Sequence, residues 1–280
     1  MTESPPVQSA ADQCGRDLQR LDPDRWLTTL FAPDASRPGL FALYAFNAEI
    51  ARARESVSQP MIGQIRLQWW REAWEGIVAG KPRQHPVVQA LHDHCRHLDQ
   101  ITVMALIDAR DRDMDDAPPA DLAALTGYAR ATSAPLMKLA VQHLGGRAAD
   151  HIIEAAGTAY ALVGILRAAP HLLARQRVLL PLDLLAAQGL SPEATYQTET
   201  GMALRPVFAK IAAEAEAQLN AARQEKVSRA ALPALLPATL AGVALKAFRR
   251  SDHDPIAAEA AITPLKRQMA LLWASLRGRF

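Results

Sequence analysis

Proline and helix-forming residues set the terms for this chain. Its nineteen prolines are spread along the sequence, and the stretches between them are rich in Ala, Leu, Arg, Glu and Gln. No run of Val, Ile, Thr or Tyr alternates with period two for long, so strand signals are scarce. Apolar residues recur instead at helical spacing between proline or glycine breaks. The breaks predict helices over Leu40–Val57, Met61–Val78, Pro86–Leu98, Thr102–Asp115 and from Leu122 past Tyr128, this last one capped by Asp121. Further helices are predicted over Ala148–Ala169, Leu184–Ala187, Met202–Gln224, Pro233–Arg249 and Thr263–Leu276. Gly39, Gly145, Gly146 and Gly189 read as caps and turns. No repeat, low-complexity segment or long linker interrupts the series. The expectation is one all-α domain over residues 21–280, preceded by a frayed segment, 1–20, that carries Pro5-Pro6.

Charge and cysteine content narrow the function classes. Thirty-one basic against 29 acidic residues leave a formal net charge of +2, which argues against nucleic acid as the main partner. Cys14 and Cys95 are too few for a disulfide framework and fit a reducing compartment. Residues 1–13 show neither a basic start nor an apolar core, so no secretory signal is expected there. The longest near-apolar stretch, Ala230–Leu245, is shorter than the ~20 residues that span a bilayer and holds Pro233 and Pro237. The expectation is a cytoplasmic protein that touches the inner membrane at most peripherally.

Two clusters carry metal-binding residue types. In the run from Asp108 to Asp116, a helix would place Asp108, Asp111 and Asp115 on one face, where carboxylates can hold Mg²⁺; the alternative is a solvated helix end neutralised by Arg110 and Arg112. His92, Asp93, His94, Cys95 and His97 are consecutive or nearly so, and sequence neighbours point to different helix faces. A surface histidine cluster is the expectation there. No phosphate loop, dinucleotide fingerprint or nucleophile elbow is present.

The most specific patterns are Tyr44-Ala45-Phe46, the stretch Gln64-Ile65-Arg66-Leu67-Gln68-Trp69-Trp70-Arg71-Glu72, and Ile165-Leu166-Arg167 ten residues ahead of Arg177-Val178-Leu179-Leu180-Pro181. In this order and spacing the chain resembles the squalene/phytoene synthase family from about Trp26 to Arg277. The resemblance implies a single all-helical isoprenoid-synthase bundle around a central cavity. It also implies prenyl diphosphate condensation, with Mg²⁺ held by two Asp-rich motifs on facing helices. Carried over position by position, the first motif falls on Ala51, Arg52 and Glu55, and the second on Ala168 and Leu172. Of these five residues only Glu55 is a carboxylate.

Helical spacing leads to the same place. Gly157, Ala161, Gly164, Ala168 and Leu172 share one small, apolar helix face, which lets a neighbouring helix approach or lines a cavity for an aliphatic chain. Tyr44, Asn47, Glu49, Arg52, Glu55, Gln64, Arg66, Arg71 and Arg167 are the polar candidates for that cavity. Being rich in arginine, the set either binds an anion without metal or forms internal ion pairs such as Arg52 with Glu55 or Glu49.

Asn47-Ala48-Glu49-Ile50-Ala51-Arg52 following Tyr-Ala-Phe resembles a branch of the family associated with respiratory complex I biogenesis. Joined to the intact fold signature with stripped metal motifs, it gives the first expectation, a non-catalytic protein that needs no cofactor. Its partners would be complex I subunits or assembly intermediates, and its ligand a prenyl or lipid-like molecule. The competing reading is a working prenyl transferase with a displaced Mg²⁺ site at Asp111 and Asp115. A third is a carrier that shields a prenyl chain at the membrane surface. The segment Lys266–Phe280 has basic ends and an apolar stripe; it docks on the core as a final helix or lies in a lipid interface.

Overall fold

A computed structural model describes residues 9–54, 59–197 and 201–280, and among them there are helices and turns and no strand. Ser9 opens the first helix, α1 (Ala10–Leu21), with a capping box in which it and Asp12 exchange hydrogen bonds. Residues 10–20, expected to fray, are therefore helical: Ala11, Cys14 and Leu18 are buried against the next long helices. After α2 (Pro23–Thr29) comes α3 (Arg37–Ala51), which starts before the Pro38-Gly39 break and ends before the expected Val57. Proline fits a first turn, where its missing N–H costs nothing. Gly39 is thus a helix residue and not a cap, and its bareness has a packing reason: a Cβ there would run into the His143 ring.

The chain continues through α4 (Pro60–Val78), α5 (Pro86–Cys95) and α6 (Gln100–Asp108). At Asp108 the helix tightens to a 3₁₀ turn over Ala109–Met114, so the expected helix Thr102–Asp115 is broken. Next come α7 (Leu122–His143), with Asp121 accepting the Ala124 N–H at 2.7 Å, and α8 (Asp150–Ala174). The remainder is α9 (Leu182–Ala186), α10 (Arg205–Ala222), α11 (Leu232–Arg250), α12 (Pro255–Ala260) and α13 (Pro264–Arg277).

Helix α8 is the pillar of the bundle, packed by α7, α10 and α11. On α8, Ile152, Ile153, Ala156, Ala159, Leu162, Val163 and Leu166 are buried. The approach of α7 is close because Gly157 lacks a side chain: a Cβ would lie 2.8 Å from Ala134 Cα. By length and composition α8 and α11 could each cross a membrane, but 67% and 78% of their most apolar stretches are buried inside the bundle. They are core helices. Trp70 and Trp74 of α4 are buried too, with Trp70 edge-on to Phe46 at 5.2 Å.

Candidate functional site

A cavity of about 450 Å³ opens between α3, α7, α8 and the 3₁₀ turn, within the usual range for small-molecule sites. One side is smooth: Ala51, Ala161, Gly164, Ile165, Ala168, Leu172 and Leu179 line it. The small face read from α8 therefore does both jobs. Gly157 admits α7, while Ala161, Gly164, Ala168 and Leu172 form cavity wall, and a Cβ on Gly164 would meet open space.

The other side is polar and crowded with arginines. Arg25 is salt-bridged to Asp22 at 2.6 Å and lies over the Tyr160 ring at 4.7 Å and the Tyr44 ring at 5.7 Å. Burial pushes the hydroxyls of Tyr44 and Tyr160 well above the usual tyrosine range, against the pull of Arg25, so both stay neutral. Deeper in, Tyr128 donates its hydroxyl to Asp113 Oδ1 at 2.6 Å, and Arg110 flanks the same carboxylate at 3.5 Å. Burial raises the Tyr128 pKa; Arg110 opposes the rise and Asp113 adds to it. Arg177 donates to the Asp113 backbone carbonyl at 3.3 Å. Asn47 Oδ1, Arg110 Nε and Ser133 Oγ are buried without a hydrogen-bond partner among the described residues, leaving polar capacity on the cavity wall.

Arg167 belongs to a closed ring of four charges. It donates to Asp24 at 2.6 Å and to both oxygens of Glu259 at 2.9 and 3.2 Å; Arg267 contacts Asp24 at 3.0 Å and also Glu259. Two cations and two anions balance, tying α2, α8, α12 and α13 together. Burial works against the Arg167 charge, but Asp24 and then Glu259 outweigh it and keep its pKa above the ordinary value.

Of the polar candidates named from sequence, Asn47 and Arg167 line this cavity. Tyr44 lies beneath Arg25. Glu49 and Arg52 face a second depression between α1, α3 and α5, and Glu49 pairs with Arg66 at 3.6 Å. Gln64 is exposed, and Arg71 reaches across to Asp108 at 2.8 Å and Asp111 at 2.7 Å. Glu55 lies outside the described residues. Sequence reading missed Arg25, Asp113, Tyr128, Tyr160 and the partners Asp24 and Glu259. The one usable signal was the acidic run, and the 3₁₀ turn changed its phase.

That phase change also decides the alternative metal site. Asp108 and Asp111 both turn to Arg71, whereas Asp115 is paired with Arg112 at the cavity rim and Asp113 turns in to Tyr128, so Asp115 does not join the other two on one face. Among the described residues no group of three or more His, Cys, Asp or Glu side chains is placed to hold a metal ion, the His92–His97 segment included. The motif positions themselves offer Ala51, Ala168 and Leu172 to the cavity. A Mg²⁺ cluster needs several oxygens from one wall, and this donor set does not fit it.

An all-α isoprenoid-synthase bundle, with Ala51, Ala168 and Leu172 on the cavity wall at three of the five positions where the resemblance expects metal-binding carboxylates, is the class that fold and site define. The squalene/phytoene synthase family model matches residues 18–269, and the chain belongs to that family. A dehydrosqualene synthase crystallised with ligand superposes with a TM-score of 0.81, covering 96% of each chain at 14% identity. The squalene synthase of Alicyclobacillus acidocaldarius gives 0.76 at 20% identity, over 88% of this chain and 95% of that one. Among curated relatives, the human protein named NADH dehydrogenase (ubiquinone) complex I, assembly factor 6 is 32% identical over 249 residues, 86% of this chain and 74% of its own. The Drosophila melanogaster homolog of that factor is 26% identical over 96% of this chain and 84% of its own.

Proposed function

We propose that this chain acts in the assembly of respiratory complex I as a non-catalytic member of the squalene/phytoene synthase family. One observation carries the non-catalytic half: Ala51, Ala168 and Leu172 form cavity wall where the family's carboxylates would grip Mg²⁺. A departing diphosphate bears two to three negative charges, and without clustered oxyanion ligands no metal array neutralises it. The assembly half is supported by the 32% identity, across 86% of the chain, to the human assembly factor. In this reading the partner is a complex I subunit or assembly intermediate, met in the cytoplasm at the inner membrane. The cavity, smooth on one side and hydrogen-bonding on the other, suits a prenyl or lipid-like molecule held without metal.

Two experiments test it. Purified protein incubated with farnesyl or geranylgeranyl diphosphate and Mg²⁺ releases no pyrophosphate above background; steady turnover that Asp111→Ala or Glu55→Ala abolishes overturns the non-catalytic assignment. Deleting the gene lowers membrane NADH dehydrogenase activity and leaves partly assembled complex; normal assembly removes the complex I role.

A further inference from the structure

We propose that α13 is a membrane-docking helix that lays its outward face on an anionic phospholipid surface. Arg267, Leu271 and Ala274 turn inward, the first into the charge ring and the other two into the core. Leu265, Met269, Leu272 and Leu276, at helical spacing i, i+4, i+7 and i+11, form a continuous outer stripe with Trp273 beside it. Each is exposed, by 65, 55, 46, 67 and 57% respectively. Five large apolar side chains on one short helix far exceed the isolated exposed leucine that needs no explanation.

Charge selects the occupant. No Asp or Glu occurs after Glu259, whereas Lys266, Arg277 and Arg279 lie on or just beyond the helix. By helical spacing Lys266, Trp273 and Arg277 share one edge of the apolar stripe, and the Arg277 guanidinium sits over the Trp273 ring at 4.2 Å. A tryptophan flanked by cations at the margin of an apolar face suits the headgroup boundary, where the ring is half-wet and the cations meet lipid phosphate. At 14 residues the helix is about 21 Å long, too short to cross a ~30 Å hydrocarbon core and suited to lying flat. The charge ring anchors its inner face through Arg267, so the bundle is carried to the surface as one piece. The proposal rests on α13 alone and does not depend on the complex I assignment.

The test is vesicle flotation of the full chain. It is expected to co-float with phosphatidylcholine vesicles containing about one-third phosphatidylglycerol, and far less with phosphatidylcholine alone or in high salt. Leu272→Ser with Trp273→Ser is expected to cut partitioning at least about tenfold, and Lys266→Ser with Arg277→Ser to remove the preference for anionic lipid. Circular dichroism melts confirm that these exposed substitutions leave the fold intact. Independently of stability, brominated lipid is expected to quench wild-type fluorescence more than that of Trp273→Phe. Absence of flotation on anionic vesicles, or equal flotation and quenching in wild type and variants, overturns the proposal. So does a lipid-free dimer that Leu272→Ser with Trp273→Ser dissociates, since a second copy would then cover the stripe.

Discussion

Replacing Arg167 by methionine keeps an unbranched apolar stem and deletes the guanidinium with its charge, which separates a structural from a ligand-binding role for this cavity residue. Asp24 is 6% exposed at its side chain and Arg167 27%, so both lie mostly out of water. Removing one partner of a buried pair costs about 3–5 kcal/mol when the other charge is stranded. Here Arg267 still contacts both carboxylates, and Arg167 keeps partial solvent access, so the expected loss is about 2–3 kcal/mol. At about 2–4 °C per kcal/mol for a domain of this size class, Arg167→Met lowers Tm by roughly 4–12 °C in a circular dichroism melt. Asp24→Asn strands two arginines on Glu259 and costs a similar amount. The double variant leaves Arg267 facing Glu259, a balanced pair, and is expected to cost clearly less than the sum of the two. A Tm within about 1 °C of wild type for Arg167→Met would refute the ring as a structural element and free that guanidinium for a ligand.

The helix-packing argument predicts opposite outcomes at two glycines of α8: Gly157→Ala, pressed on the Ala134 backbone, loses about 1–3 kcal/mol in urea unfolding, while Gly164→Ala, facing open cavity, is neutral or gains up to about 1 kcal/mol from helix propensity. Burial pushes the thiols of Cys14 and Cys95 up to about 12, so neither reacts with a disulfide reagent at neutral pH until denaturant is added; fast reaction of either native thiol would contradict their burial. Burial holds the His143 pKa below the ordinary value, partly opposed by its hydrogen bond with the Ser36 carbonyl at 3.0 Å, so the folded protein resists a proton that the unfolded chain takes up near pH 6.5. His143 therefore contributes stability above that pH and loses it as pH falls further; a urea midpoint that rises on acidification from pH 7 to 5.5 would contradict this.

What the sequence determined by itself is local. Helix formers between prolines specify an all-α chain, because capping and period act within a few residues, and Asp121 and Thr263 cap α7 and α13 as their side chains require. The loss of carboxylates at Ala51, Ala168 and Leu172 was also legible, since α3 up to Ala51 and α8 along its length each keep one helical phase. Tertiary structure decided the rest. Whether Arg167 serves a ligand or the fold depends on Asp24 and Glu259, 143 and 92 residues away, which no local pattern brings together. The direction of each aspartate from Asp108 to Asp115 turned on a 3₁₀ turn that shifts their angular spacing, and the partners that stabilise it, Arg71 and Tyr128, come from other helices. The amphipathic pattern of α13 could be read, but only packing shows which side the bundle claims and which it leaves to the outside.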